Sequence, residues 1–147
     1  MTEKYPLEAL IKSREWELEE LAPRLAAAKS AVDAAERTVR RLVAEIAAAE
    51  SELAREGAQQ GLIQVDRRRI SALFLRDRHG ELHREREALA DQRAALAQVM
   101  EAVLSVRRAI RALERHRERL RRRGEDLAAS KLQKTLDDLW LARRSRP

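Results

Sequence analysis

The sequence predicts an all-α protein built from two long helices that form an antiparallel coiled-coil hairpin. Three observations point there. An apolar residue recurs at every seventh position through residues 11–53, a glycine-containing break follows at 57–61, and the segments before and after the break carry opposite net charge. The composition agrees. Of 147 residues, 38% are charged and 3% aromatic, with four Gly and three Pro. Ala, Glu, Leu and Arg dominate, a mixture that suits long helices and cannot fill a globular core. The chain reads as a single coiled-coil domain over 1–147.

Helix one is expected over about 7–56. Ile11, Leu18, Leu25, Val32, Val39, Ile46 and Leu53 form one apolar ladder. Leu7, Leu21, Ala28, Ala35, Leu42 and Ala49 form a second rung beside it. These are the a and d positions of a left-handed coiled coil, and they require a partner helix along roughly 65 Å at about 1.5 Å per residue. Residues 1–5 are expected to fray, and Pro6 suits a first turn, where its missing N–H costs nothing. Pro23 falls on the outer face at position f. It reads either as a tolerated bend, costing about 3 kcal/mol in a helix interior, or as a break behind a short N-terminal helix.

The turn is expected at about 57–63, where Gly57-Ala58-Gln59-Gln60-Gly61 loses the periodicity. Gly80, after His79, is the competing position and is read as a helical glycine or local kink. Helix two is expected over about 64–143. Ile63, Ile70, Leu73, Phe74 and Leu75 are helically spaced but off the heptad register. From Leu75 the register is clean, through Leu82, Leu89, Leu96, Val103 and Ile110, with Val99, Val106, Leu113, Leu120 and Leu127 as its second rung. Arg78, Glu85 and Gln92 occupy that rung before Val99, so pairing is thinner near the turn. Arg117 and Gly124 interrupt the a positions, and such slips change the supercoil locally. Leu132, Leu136, Leu139 and Trp140 resume an apolar face. Helix two should then extend past helix one by roughly 25–30 residues, or ~40 Å.

Charge names the partner of the first ladder. Residues 1–60 hold 9 Lys/Arg against 12 Asp/Glu, and residues 61–147 hold 22 against 13. An acidic helix and a basic helix attract when they lie side by side, which favours pairing within the chain over a parallel dimer of like halves. Cysteine is absent, which excludes disulfides and thiolate metal sites. The sequence lacks an apolar run of ~18 residues and an N-terminal signal core. A soluble, unprocessed protein is expected, and an intracellular location fits.

Nothing in the sequence reads as catalytic. There is no phosphate-binding glycine loop and no nucleophile–base set, and a two-helix architecture offers no concave pocket. His79, His83 and Glu87 have metal-ligand spacing, but their heptad positions are solvated and a fourth ligand is missing. No metal and no cofactor are expected. The strongest charge feature is residues 107–123, with nine arginines against two glutamates. Arg107, Arg108, Arg111, Arg115, Arg119 and Arg122 form a basic contact stripe. Three readings stay open for it: a solvated flank, a contact with an acidic protein surface, or neutralisation of nucleic-acid phosphates, although no aromatics are interleaved for base stacking.

The layout resembles the FliJ/YscO family, the stalk proteins of flagellar and virulence type III secretion. The resemblance runs over most of the chain and rests on order. A heptad helix opens with Leu7-x-x-Leu10 and Arg14-Glu15, and a break follows at Gly57 to Gly61. The cluster Ile70-Ser71-Ala72-Leu73-Phe74-Leu75 comes next, then Lys134-x-Leu136-Asp137-Asp138 and Arg143-Arg144. The resemblance implies a non-enzymatic central stalk in the cytoplasm, peripheral to the inner-membrane export apparatus. Its terminal end would enter a hexameric secretion ATPase and promote assembly and hydrolysis. Its other end would meet the cytoplasmic domain of an export-gate protein, and export chaperones are further partners. On this layout Leu7, Leu10, Ile11, Leu136, Leu139 and Trp140 form the ATPase-facing tip. The arginine stripe lies at or below the ring, and Ile70, Leu73, Phe74 and Leu75 face the gate. One departure is a turn region rich in arginine (Arg67, Arg68, Arg69, Arg76, Arg78) and poor in aromatics. The alternatives are a nucleic-acid-binding basic coiled coil and a homodimeric coiled-coil spacer.

Overall fold

The computed structural model describes residues 4–58 and 65–145. It contains two helices, α1 (Glu8–Ala58, 51 residues) and α2 (Val65–Arg144, 80 residues), and no strand among the described residues. The helices pack against each other. The expected turn reaches into α1 at Gly57 and Ala58, and from Gln59 onward it lies outside the described residues. Gly80 sits within an unbroken α2. Pro23 is exposed within an unbroken α1, so the reading with a separate short N-terminal helix is set aside. The proline lacks the N–H that would bond the Glu19 carbonyl.

The chain forms two compact units. One is Glu20–Val103; the other joins the N-terminal stretch through Glu19 to the segment from Leu104 onward. In the first, Leu42 and Ile46 of α1 meet Leu82 of α2, with Val39 and Leu75 packed around them. Each such fully buried Leu or Ile contributes roughly 1.5–3 kcal/mol relative to exposure. In the second, Ile11 and Val106 are buried. Across both units the buried apolar residues are Ile11, Val32, Leu42, Ile46, Leu82, Leu89, Val103 and Val106. Every one occupies a heptad position read from the sequence.

Ion pairs join the helices along their flanks. In the unit Glu20–Val103, Glu36 pairs with Arg93 at 3.1 Å, Glu45 with Arg78 at 3.7 Å, Glu50 with His79 at 3.4 Å, and Glu56 with Arg67 at 3.4 Å. From Glu36–Arg93 through Glu45–Arg78 to Glu56–Arg67, numbers rise on α1 as they fall on α2. In the other unit, Glu8 pairs with Arg117 at 3.0 Å. In each of these the acid is on α1 and the base on α2, as the charge asymmetry predicts. Partly exposed pairs contribute about 0–1 kcal/mol each, so they select the partner face more than they hold it.

The start of α1 is tied down more firmly than expected. The Glu8 N–H donates to the Tyr5 carbonyl at 3.1 Å, and the Leu10 and Ile11 N–H groups donate to the Leu7 carbonyl at 3.0 Å. Tyr5 was expected to fray; instead its hydroxyl lies 2.5 Å from His116 Nδ1 and 3.4 Å from the Leu113 carbonyl. Either tautomer of His116 satisfies the pair. The hydroxyl accepts from Nδ1–H while donating to Leu113, or donates to a bare Nδ1.

Candidate functional site

Three groups of residues stand out as surfaces rather than as pockets. The first is the exposed end of α2. Residues 119–145 are all exposed, and the heptad seam has faded by Leu120. Leu132, Leu136, Leu139 and Trp140 are each more than half exposed. Their spacing of four, three and one places them on one helical stripe. Leu136, Leu139, Trp140, Ala142 and Arg143 line a shallow apolar surface there. The Arg144 guanidinium lies 5.0 Å from the Trp140 ring centroid, a cation–π contact that orders the end of the stripe.

The six residues expected to share one tip are not brought together. Ile11 is buried at 2% exposure, while Leu7 and Leu10 are partly exposed. They lie beside Leu113–Arg117, as the Tyr5–His116 and Glu8–Arg117 contacts show. Leu136 is 19 residues beyond Arg117, roughly 30 Å further along α2. The N-terminal group seals the last paired turns. The C-terminal group stands by itself.

The second surface is the arginine stripe. Arg107, Arg108, Arg111, Arg115, Arg119 and Arg122 are all exposed. At 100° per residue they fall within a sector of about 120° on α2. Of the two acids within the run, Glu118 is engaged locally. Glu118 accepts from Arg121 at 2.6 Å and 3.0 Å and from Arg122 at 3.3 Å. Arg121 also bonds Glu125. The Arg121 hydrogen bonds, with smaller help from Arg122, hold the Glu118 carboxyl down at about 2. The same pairing holds Arg121 above its ordinary value. Arg115 Nε donates to the Arg111 carbonyl at 3.4 Å.

The third surface is near the start of α2. The expected gate-facing set divides there. Ile70, Leu73 and Phe74 are exposed, whereas Leu75 packs against the Leu42–Ile46–Leu82 core. The Arg78 guanidinium lies 5.1 Å from the Phe74 centroid, and its Nη1 donates to Glu81 at 2.9 Å. Arg78 Nε is buried without a hydrogen-bond partner. The heptad count marks Arg78 as polar at a seam position. The stacking on Phe74 depends on side-chain rotamers, which periodicity does not report.

His79 pairs with Glu50, and His83 with Glu87 at 3.1 Å; both histidines are exposed. Among the described residues no group of three or more His, Asp or Glu is arranged to hold a metal ion. No helix among them is long and apolar enough to cross a membrane. What the three surfaces can do chemically is recognise other macromolecules, through an apolar stripe, a cationic stripe and a small aromatic–aliphatic patch. No family model, no curated protein and no solved structure matches this chain.

Proposed function

We propose that this chain is a non-enzymatic stalk or adaptor of a type III secretion export apparatus, folded as an antiparallel coiled-coil hairpin. In this reading it inserts into a hexameric secretion ATPase, promotes ring assembly and hydrolysis, and links the ring to the cytoplasmic domain of the export gate. It acts in the cytoplasm beside the inner-membrane apparatus. The observation that supports this best is the exposed end of α2. There an apolar stripe at Leu132–Trp140 follows directly on the arginine stripe at 107–122, with no α1 residue packed on either beyond Arg117 among the described residues. The chain spends its heptad seam on pairing α1 with α2 and leaves this end for recognition.

Leu136, Leu139 and Trp140 form the ATPase-facing contact, and the N-terminal group, including Ile11, supports the helix that presents it. Ile70, Leu73 and Phe74 are the gate-facing candidates, with Leu75 as their anchor in the core. The test mixes the full chain with the secretion ATPase of the same source and follows hexamer formation and hydrolysis. The full chain should stimulate both, and a chain lacking residues 132–147 should stimulate neither. Absence of co-elution and of stimulation by the full chain would sink the stalk reading.

The confinement of six arginines to one sector of α2 favours a second reading, nucleic-acid binding. A gel shift that weakens steeply as salt rises through ~100 mM would support it.

A further inference from the structure

The arginine stripe of α2 is a row of cations that the fold does not neutralise. Between residues 107 and 122, the sector holding Arg107, Arg108, Arg111, Arg115, Arg119 and Arg122 contains one other residue, Glu118. Glu118 is held by Arg121, from outside the sector, and by Arg122. Glu114 falls just beyond the edge of the sector. Elsewhere on α2, Arg67, Arg78, Arg93 and Arg117 each pair with a glutamate of α1. Arg107, Arg111, Arg115 and Arg119 pair with no carboxylate among the described residues. They stand four residues apart, a spacing at which like charges repel and weaken a helix. Val106 and Leu113, the seam residues of this stretch, turn to the other side of α2, so α1 leaves the arginines exposed. Such a row asks for an anion.

The make-up of the sector selects the class of anion. A protein partner needs apolar anchors at the centre of its interface, where charge is depleted. This sector has no apolar side chain over roughly 22 Å of helix. An interfacial helix likewise buries an apolar face in the lipid. Single strands are gripped by aromatic side chains stacked on their bases, and none is interleaved here. A duplex presents a dense row of phosphates, one per ~1.7 Å of axis, and cations alone suffice to hold it. Arginine suits that task, since its planar fork bonds phosphate oxygens in pairs. Six like side chains offer no mixed donor and acceptor code for base edges.

We infer that the arginine stripe binds the phosphate backbone of a double-stranded nucleic acid without reading its sequence. This rests on the nucleic-acid reading and adds to it the form of the ligand and the manner of its recognition. It is independent of the stalk reading, which places its ATPase contact at Leu136, Leu139 and Trp140.

The test is fluorescence anisotropy of the full chain with labelled duplexes of about 20 base pairs in two unrelated sequences. A matched single strand is the comparison, and NaCl is raised from about 50 to 200 mM. The two duplexes should bind within about twofold of each other and at least ~tenfold more tightly than the single strand. The logarithm of affinity should fall against the logarithm of salt with a slope of about −5, as for roughly six neutralised phosphates. Arg111→Gln combined with Arg115→Gln should reduce the size of that slope by about two, without loss of helicity in circular dichroism. Arg68→Gln, at an exposed position near the start of α2, should leave the slope as it is. Three results overturn the inference and leave nucleic-acid binding standing. They are equal affinity for the single strand, a preference above ~tenfold between the duplexes, or a slope indifferent to the Arg111–Arg115 pair. A chain that binds none of these ligands at about 50 mM salt sinks both, and returns the stripe to an acidic protein surface.

Discussion

Arg78 occupies a seam position close to the Leu42–Ile46–Leu82 core, yet its Nε is buried without a hydrogen-bond partner. An unsatisfied buried donor costs about 1–3 kcal/mol. Its ion pairs to Glu81 and Glu45 and its stacking on Phe74 recover part of that. Arg78→Leu should therefore raise stability by about 1 kcal/mol in urea unfolding, since an apolar replacement of a partly buried charge is often stabilising. A loss of more than that would show that the guanidinium network holds the pairing. Glu118 supplies a different prediction. Its carboxyl is depressed from 4.5 to about 2 by Arg121 and Arg122. A depressed carboxyl contributes stability above its unfolded value and loses it as pH falls through its folded value. Helicity around residues 114–125 should thus hold at pH 5 and fall between about pH 4.5 and 2. Glu118→Gln should remove most of that pH dependence in a circular dichroism titration.

At the scale of the element, α1 and α2 owe their order to different causes. α1 is scaffold: it places Ile11, Val32, Leu42 and Ile46 in the seam, and its outer face tolerates Pro23. α2 is paired over its first part and unsupported after Arg117. Gly124 lies in the unsupported part, and a Cβ added there meets nothing within 4 Å. Gly124→Ala should stabilise that stretch by about 0.8–1 kcal/mol. Because residues 119–145 do not pack on α1, the effect should appear as roughly fivefold slower hydrogen exchange there. The global melting midpoint should stay where it is. The two helices and their seam were legible in the sequence because a seven-residue apolar period has one structural meaning. The shared tip was not legible. The helix lengths either side of the break already imply an overhang of roughly 25–30 residues. The single tip joining Leu10 to Leu136 comes instead from the family resemblance, and roughly 30 Å of helix separates their levels. Tyr5 lies outside the heptads, so its contact with His116 left no trace in the pattern.

For the molecule as a whole, charge chooses and burial holds. The cross-helix pairs place acids on α1 and bases on α2, but their side chains stay partly exposed. Such pairs are weak and screened by salt. Raising NaCl from 0.05 to 1 M should therefore move the thermal midpoint by less than about 5 °C. A larger drop would mean that the ion pairs, and not the Leu42–Ile46–Leu82 core, carry the fold.

The exposed end of α2 also decides how the protein ages. Most helical stability in proteins comes from tertiary packing, so compared with a packed helix, a stretch without it opens more readily. This one presents Arg119, Arg121, Arg122, Arg123, Lys131 and Lys134 to any protease that comes by. Dilute trypsin should cut there well before it cuts at Arg40, Arg41 or Arg93, leaving the paired portion behind. The segment that carries the recognition chemistry is thus the first to be lost when nothing holds it. Partner occupancy would then set the lifetime of the intact chain.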